Sequence, residues 1–174
     1  MSNLLLSPVD FKVVETPRGT WRRYLHANGT AYAEFTSTAT VLGLPLLHYT
    51  SGISPETGTF TVARGFIAIG RRAVGVVAIG RLAAGFLAIG HAAVGVVALG
   101  QAALGIAALA QLALGVAVGV GQVASGAVCI AQVGVGKWVL AQVGLGQHVW
   151  SMRVRDPEAI DFFKSLATRL LNVG

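Results

Sequence analysis

Hydrophobic and polar positions in residues 65–146 recur in blocks of five, and the block reads Gly-x-x-Ala-[Ile/Val/Leu]. Glycine stands at 65, 70, 75, 80, 85, 90, 95, 100, 105 and 115, with Ala110 in the one gap, and the fourth position is alanine from Ala68 to Ala113. The residue after the glycine alternates between bulky apolar (Phe66, Val76, Phe86, Val96, Ile106, Val116) and polar (Arg71, Arg81, His91, Gln101, Gln111). So strict a period is an internal repeat and takes precedence over local propensity. An α-helix advances about 100° per residue, so a mark every five residues wanders around its surface. Glycine at that density would also cost a helix roughly 0.8–1 kcal/mol per residue relative to alanine. A solenoid uses the same spacing, with short extended segments ended by a glycine where the chain turns or where backbones approach closely. The expected fold class is all-β: a parallel β-helix with five-residue sides and a C-terminal amphipathic helix. Phe66 recurs as Phe86 and Ile106, and Val76 as Val96 and Val116, which favours four sides and a coil of twenty residues by a small margin over one of ten, and leaves the coil length open between the two.

After Gly115 the register slips by one, to Gly121, Gly126, Ala131, Gly136, Ala141 and Gly146. The polar position survives as Gln122, Gln132, Gln142 and Gln147, with Lys137 between them, as a bulge or looped corner would allow. The fourth position loosens there to Cys129, Gly134, Val139 and Gly144. With twenty-residue coils, Arg71-His91-Gln111 and Arg81-Gln101 form polar ladders on opposite sides. Packing density favours positions three and five as the core, in pairs such as Ile67/Ile69, Val77/Ile79, Leu87/Ile89 and Val133/Val135, with Arg72 the one conflict. The alternative puts alanine and glycine inside a very narrow interior and turns the bulky residues outward.

Three parts follow from this pattern: a β lead-in and cap over residues 1–62, the glycine-rich tract over 63–150, and a helix over 151–174. In the lead-in, strands over 20–27 and 30–35 flank Asn28-Gly29, a strong hairpin signal. A further strand over 38–47 is broken at Pro45, 51–58 read as a loop, and a last strand over 59–63 runs into the repeat. At the other end, Asp156-Pro157-Glu158 is a helix start. Ala159, Ile160, Phe163, Ala167, Leu170 and Leu171 recur at helical spacing, so Pro157–Leu171 is expected to be an amphipathic helix, either a lid on the last coil or a membrane-surface element.

The five-residue unit resembles that of the pentapeptide-repeat proteins, whose right-handed, four-sided β-helix has five residues per side. Their usual unit is Ala-[Asp/Asn]-Leu-x-x, whereas this repeat carries glycine and contains no Asp or Asn. The resemblance implies the shape of residues 65–146 and carries no partner with it. The tract also resembles Gly/Ala-rich hydrophobic short repeats of uncharacterised bacterial proteins, a likeness that carries no function.

Composition changes what the surface must do. Only 11% of residues are charged and 54% are hydrophobic, against about 25% charged in ordinary soluble domains. The formal charge is +6, yet all seven acidic residues lie outside the repeat, and no formally charged side chain falls between Arg81 and Lys137. Basic residues are not interleaved with aromatics in a nucleic-acid module, so no nucleic-acid partner is expected. The single Cys129 excludes an internal disulfide and a zinc knuckle. The four histidines lack metal-ligand spacing, no carboxylate pair lies in the repeat, and the glycines are periodic rather than arranged as a phosphate loop. Hence no enzyme, cofactor, metal or small-molecule substrate is expected. The start, MSNLLLSPVDFK, lacks a basic segment and does not read as a signal peptide.

The expected function is a non-catalytic scaffold in or on a membrane that self-associates. Its partners are membrane lipid and other copies of itself, at a bacterial inner membrane or its cytoplasmic face. The candidate membrane or self-association surface is Phe66, Val76, Phe86, Val96, Ile106 and Val116. Arg64, Arg71, Arg72, Arg81, Lys137, Arg153 and Arg155 would lie at headgroup level. The alternatives are a soluble cytoplasmic interaction module that oligomerises through its apolar faces, and a pair of transmembrane helices within residues 82–136.

Overall fold

The computed structural model describes residues 9–171, so the opening run read against a signal peptide lies largely outside the described residues. The chain is mostly strand with one C-terminal helix, in the all-β class. It divides into two compact units, one ending at Gly90 and one starting at His91.

In the first unit, β1 (Lys12–Thr16), β2 (Gly19–Leu25), β3 (Ala31–Ser37) and β6 (Leu47–Ser51) form an antiparallel run. The hairpin at Asn28-Gly29 is present, with Leu25 opposite Ala31 and Gly29 at φ 81°. The expected strand over 38–47 is instead a second small hairpin, β4 (Thr40–Val41) and β5 (Leu44–Pro45). Its two turn residues, Leu42 and Gly43, both have positive φ, the conformation of the hairpin turns that follow strand twist. Strand β6 then pairs in parallel with the start of β7 (Val62–Trp150), Leu47 against Ile67 and Tyr49 against Ile69. The lead-in thus joins its sheet directly to the repeat.

Strand β7 is extended over 89 residues. Laid straight it would reach roughly 290 Å at about 3.3 Å per residue, and close contacts show that it folds back. A Cβ on Gly75 would collide with the carbonyl oxygen of Gly65, and one on Gly80 with that of Gly70. In the second unit the same holds for Gly105 over Gly95, Gly136 over Gly126 and Gly146 over Gly136. Backbones therefore meet every ten residues, not at the expected twenty. At the register slip the interval is eleven, since Gly121 lies against Ala110. These glycines have no positive φ; they are needed because another backbone passes where a side chain would stand.

The inside is also the reverse of the favoured expectation. The fourth position of the block is buried throughout: Ala63, Ala68, Ala73, Ala78, Ala83 and Ala88 in the first unit, and Ala93, Ala98, Ala103, Ala108 and Ala113 in the second. Beyond the slip, Gly119, Ala124, Cys129, Gly134 and Val139 continue the buried series. Positions three and five point outward, and Ile79, Val133 and Val135 are exposed. The buried position is alanine at every block before the slip, and after it takes glycine, alanine, cysteine and valine. The conflict at Arg72 disappears, because that residue is exposed.

Helix α1 (Pro157–Leu171) matches the expected span. Asp156 caps it, its carboxylate accepting from the Glu158 N–H at 3.0 Å and its carbonyl from the Ile160 N–H at 3.1 Å. The helix buries Ala159 and Phe163.

Candidate functional surface

Because contact comes every ten residues, the residues after the glycines fall into columns that differ from the expected ladders. In the first unit Phe66, Val76 and Phe86 form one column, with Phe86 60% exposed. In the second, Val96, Ile106 and Val116 form another, and Ile106 and Val116 are 52% and 72% exposed. The polar residues are five positions away, half of the ten-residue contact interval. Arg71 and Arg81 therefore share one side of the first unit instead of lying on opposite sides. His91, Gln101, Gln111, Gln122, Gln132 and Gln142 share one side of the second, and all six are exposed. The extra residue between Gly115 and Gly121 leaves Gln122 in column with Gln111, as the contact of Gly121 with Ala110 requires.

Much of the remaining outer surface is apolar. Leu82 and Val74 are exposed in the first unit, and Val94, Leu104, Leu109, Leu112, Leu114, Val143 and Leu145 in the second. A shallow apolar depression of about 170 Å³ runs over Val94, Leu104 and Leu114, again at ten-residue spacing.

The basic residues singled out from sequence are all exposed. Arg71 lies over the Phe60 ring at 3.8 Å, and among the described residues none of Arg64, Arg71, Arg72, Arg81, Lys137, Arg153 or Arg155 is ion-paired. In the second unit Arg155 lines an open depression of about 390 Å³ together with Gln142, Trp150 and Met152.

Two side-chain clusters were not read from sequence. In the first unit, Glu34 accepts hydrogen bonds from Arg22 Nη1, Tyr32 Oη and His48 Nε2, each at 3.1 Å. The Arg64 N–H donates to His48 Nδ1 at 2.8 Å, which fixes the neutral tautomer with its proton on Nε2. Arg22 also pairs with Glu56 at 2.9 Å. The His48 bond, with help from Tyr32 and Arg22, holds the Glu34 carboxyl below its ordinary value against the opposing effect of burial. Burial pushes the Tyr32 phenol up. Arg22, Tyr32 and His48 are each bonded to Glu34, and His48 also to the Arg64 backbone, so the cluster ties β2, β3 and β6 to the start of β7. A two-residue turn at Asn28-Gly29 would set Arg22 opposite Phe35; the observed connection, closed between His26 and Thr30, sets it opposite Glu34, and His48 required the β3–β6 pairing.

In the second unit, Trp138 lies between two rings, stacked on His148 at 4.2 Å and on Phe162 of α1 at 4.5 Å. His148 Nδ1 is 3.1 Å from Asp156 and 3.2 Å from Glu158. Trp138 and His148 are ten residues apart, so the contact interval of the tract sets this stack.

Among the described residues no group of three or more His, Cys, Asp or Glu is placed to hold a metal. No described helix is long and apolar enough to cross a membrane. The chain matches no family model, no curated protein and no solved structure.

Proposed function

We propose that β7 is a narrow, two-layered parallel β-helix of ten-residue coils, and that the protein is a non-catalytic scaffold which embeds this solenoid in a membrane through its apolar outer faces. One observation carries the reading: alanine fills the inside while Phe, Ile, Leu and Val stand outside. Monomeric soluble proteins rarely expose apolar patches larger than a few hundred Å², whereas here whole columns are apolar. Each exposed chain removed from water contributes about 25 cal/mol per Å².

Dimensions support the same reading. In the second unit, residues 91–150 make about six turns, which at about 4.8 Å each reach about 29 Å, close to the hydrocarbon thickness of about 30 Å. No charged side chain occurs there before Lys137, and Arg153 and Arg155 follow the last turn. Trp138 and Trp150 also sit near that end, as aromatic side chains do at a membrane interface.

Backbone groups at an open end are the cost of placing such a fold in lipid, and some of them are engaged by the flanking segments. The Asp156 N–H donates to the Val149 carbonyl at 3.0 Å and the Ser151 N–H to the Val154 carbonyl at 2.7 Å. In the first unit β6 pairs with the first turn, and the Ile67 N–H donates to the Leu46 carbonyl at 2.9 Å.

Fractionation of expressing cells tests the proposal. High salt and alkaline washes are expected to leave the protein in the membrane pellet and detergent to release it. Recovery as a discrete soluble oligomer without lipid would reject membrane embedding and leave self-association as the role of the apolar columns.

A further inference from the structure

Between Arg81 and Lys137 the side chains are almost uniformly apolar, and the glutamines are placed with unusual regularity. One stands in every turn of the second unit from Gln101 to Gln142, always at the same point of the turn. The eleven-residue interval at the slip does not disturb the series, because Gln122 remains over Gln111. All five amides are exposed, and among the described residues none has a hydrogen-bond partner. Apolar residues flank them one position further on, as Ala102, Leu112, Val123, Val133 and Val143. An uncompensated amide in hydrocarbon is costly, so a column of five within a lipid-embedded tract calls for a matching column.

We propose that this glutamine column is the seam along which a second copy of the chain docks. The inference rests on the membrane reading above and names the face that lipid does not cover. An amide carries both donors and an acceptor, so the column is complementary to itself, and having no charge it does not repel its own copy. A two-fold axis parallel to the column brings each glutamine opposite its counterpart at the same spacing, the self-matching geometry of a symmetric dimer. Stacked glutamines with apolar neighbours then form an interdigitated ladder, as in paired β-sheets. Val96, Ile106 and Val116, half a turn away, remain facing lipid.

Disulfide trapping in native membranes tests the seam. In a Cys129→Ala background, which places alanine where it fills the buried series elsewhere, Gln111→Cys and Gln122→Cys are each expected to give a cross-linked dimer on mild oxidation. Val116→Cys is expected to give none. In the chain with its own cysteine, replacing Gln111, Gln122 and Gln132 together by leucine is expected to lower the dimer fraction in mild detergent roughly tenfold or more, with alkali-resistant pelleting retained. Cross-linking at position 116 equal to or above that at 111 and 122, or no cross-linking at any of the three, would overturn the seam. Should the protein fractionate as soluble, the membrane reading fails, and the same three cysteines decide the seam separately in solution.

Discussion

Val139 occupies space that Gly134 leaves open: a Cβ at position 134 would stand 3.1 Å from Val139 Cγ1 and 2.8 Å from Cys129 Sγ. Gly144 makes the same allowance on the other side, where a Cβ would be 3.0 Å from the same methyl group. The buried series alternates in size here, with Val139 and Val149 separated by Gly144, whereas before the register slip it uses alanine at every place. Total volume is kept while individual residues vary, as close packing demands.

Gly134→Ala should therefore destabilise the second unit by about 1–3 kcal/mol through overpacking, and Val139→Ala by about 2 kcal/mol through a cavity. The double variant relieves the contact with Val139 but leaves the new Cβ against Cys129 Sγ, so it should recover part of both losses. Thermal unfolding of the four proteins in one detergent checks this. Simple additivity of the two losses would show that the residues do not share one space.

The glycines of the repeat make a separate prediction, since they face backbone and not side chains. In the first unit, Gly80→Val should sharply reduce the yield of folded protein, because its Cβ would meet the carbonyl oxygen of Gly70, and carbonyls in a strand ladder cannot swing aside. Arg81→Ala, one residue on and exposed, should change stability by less than about 0.5 kcal/mol. Similar expression and melting temperatures for the two variants would refute the backbone contact.

The repeat, the strand class, the hairpin at Asn28-Gly29 and the bounds of α1 were legible because each rests on a local signal: a period, a turn dipeptide or a cap. The contact interval was harder to read, since the large residues that suggested twenty, Phe66 with Phe86 and Val76 with Val96, also recur at multiples of ten. The direction of the side chains was misjudged for a physical reason. Packing density favoured the larger residues inside, but backbones that meet every ten residues go with a buried position that is alanine at every block before the slip, and the invariable alanine at the fourth position was the sign of that. His48 in the Glu34 cluster and Phe162 in the Trp138 cluster are partners distant in sequence, which no local pattern encodes.

Acid should weaken the first unit through Glu34. Its carboxyl is held below the ordinary value of 4.5, mainly by the hydrogen bond from His48, so the folded state binds its proton less readily than the unfolded state. The resulting stabilisation is fully present above about pH 4.5 and is lost as the pH falls through the lower folded value. Protection of β2 and β3 amides, taken relative to the intrinsic exchange rate at each pH, should fall over that acidic range, and Glu34→Gln should flatten the dependence while costing stability at neutral pH. An unchanged pH profile in the variant would assign the acid sensitivity to other carboxylates.

Trp138 should hold α1 in place. A helix of 15 residues is marginal in water by itself, and α1 buries only Ala159 and Phe163 while leaving Leu170 and Leu171 exposed. Its attachment is thus concentrated in its first two turns, where Phe162 stacks on Trp138 and where Asp156 and Glu158 reach His148, itself stacked on the other face of the indole. Aromatic pairs contribute about 0.5–1.5 kcal/mol each beyond the area they bury, so Trp138→Ala, which removes two stacks, should loosen the helix by about 1–3 kcal/mol. Amides in residues 160–171 should then exchange roughly 5–150 times faster, with little change in the buried alanine series of the second unit, since Trp138 lies outside it. Trp138→Phe keeps a ring between His148 and Phe162 and should retain most of the protection. Full protection of α1 in Trp138→Ala would mean that Ala159 and Phe163 suffice to dock the helix; loss of protection across residues 91–150 as well would mean that the indole supports the tract itself.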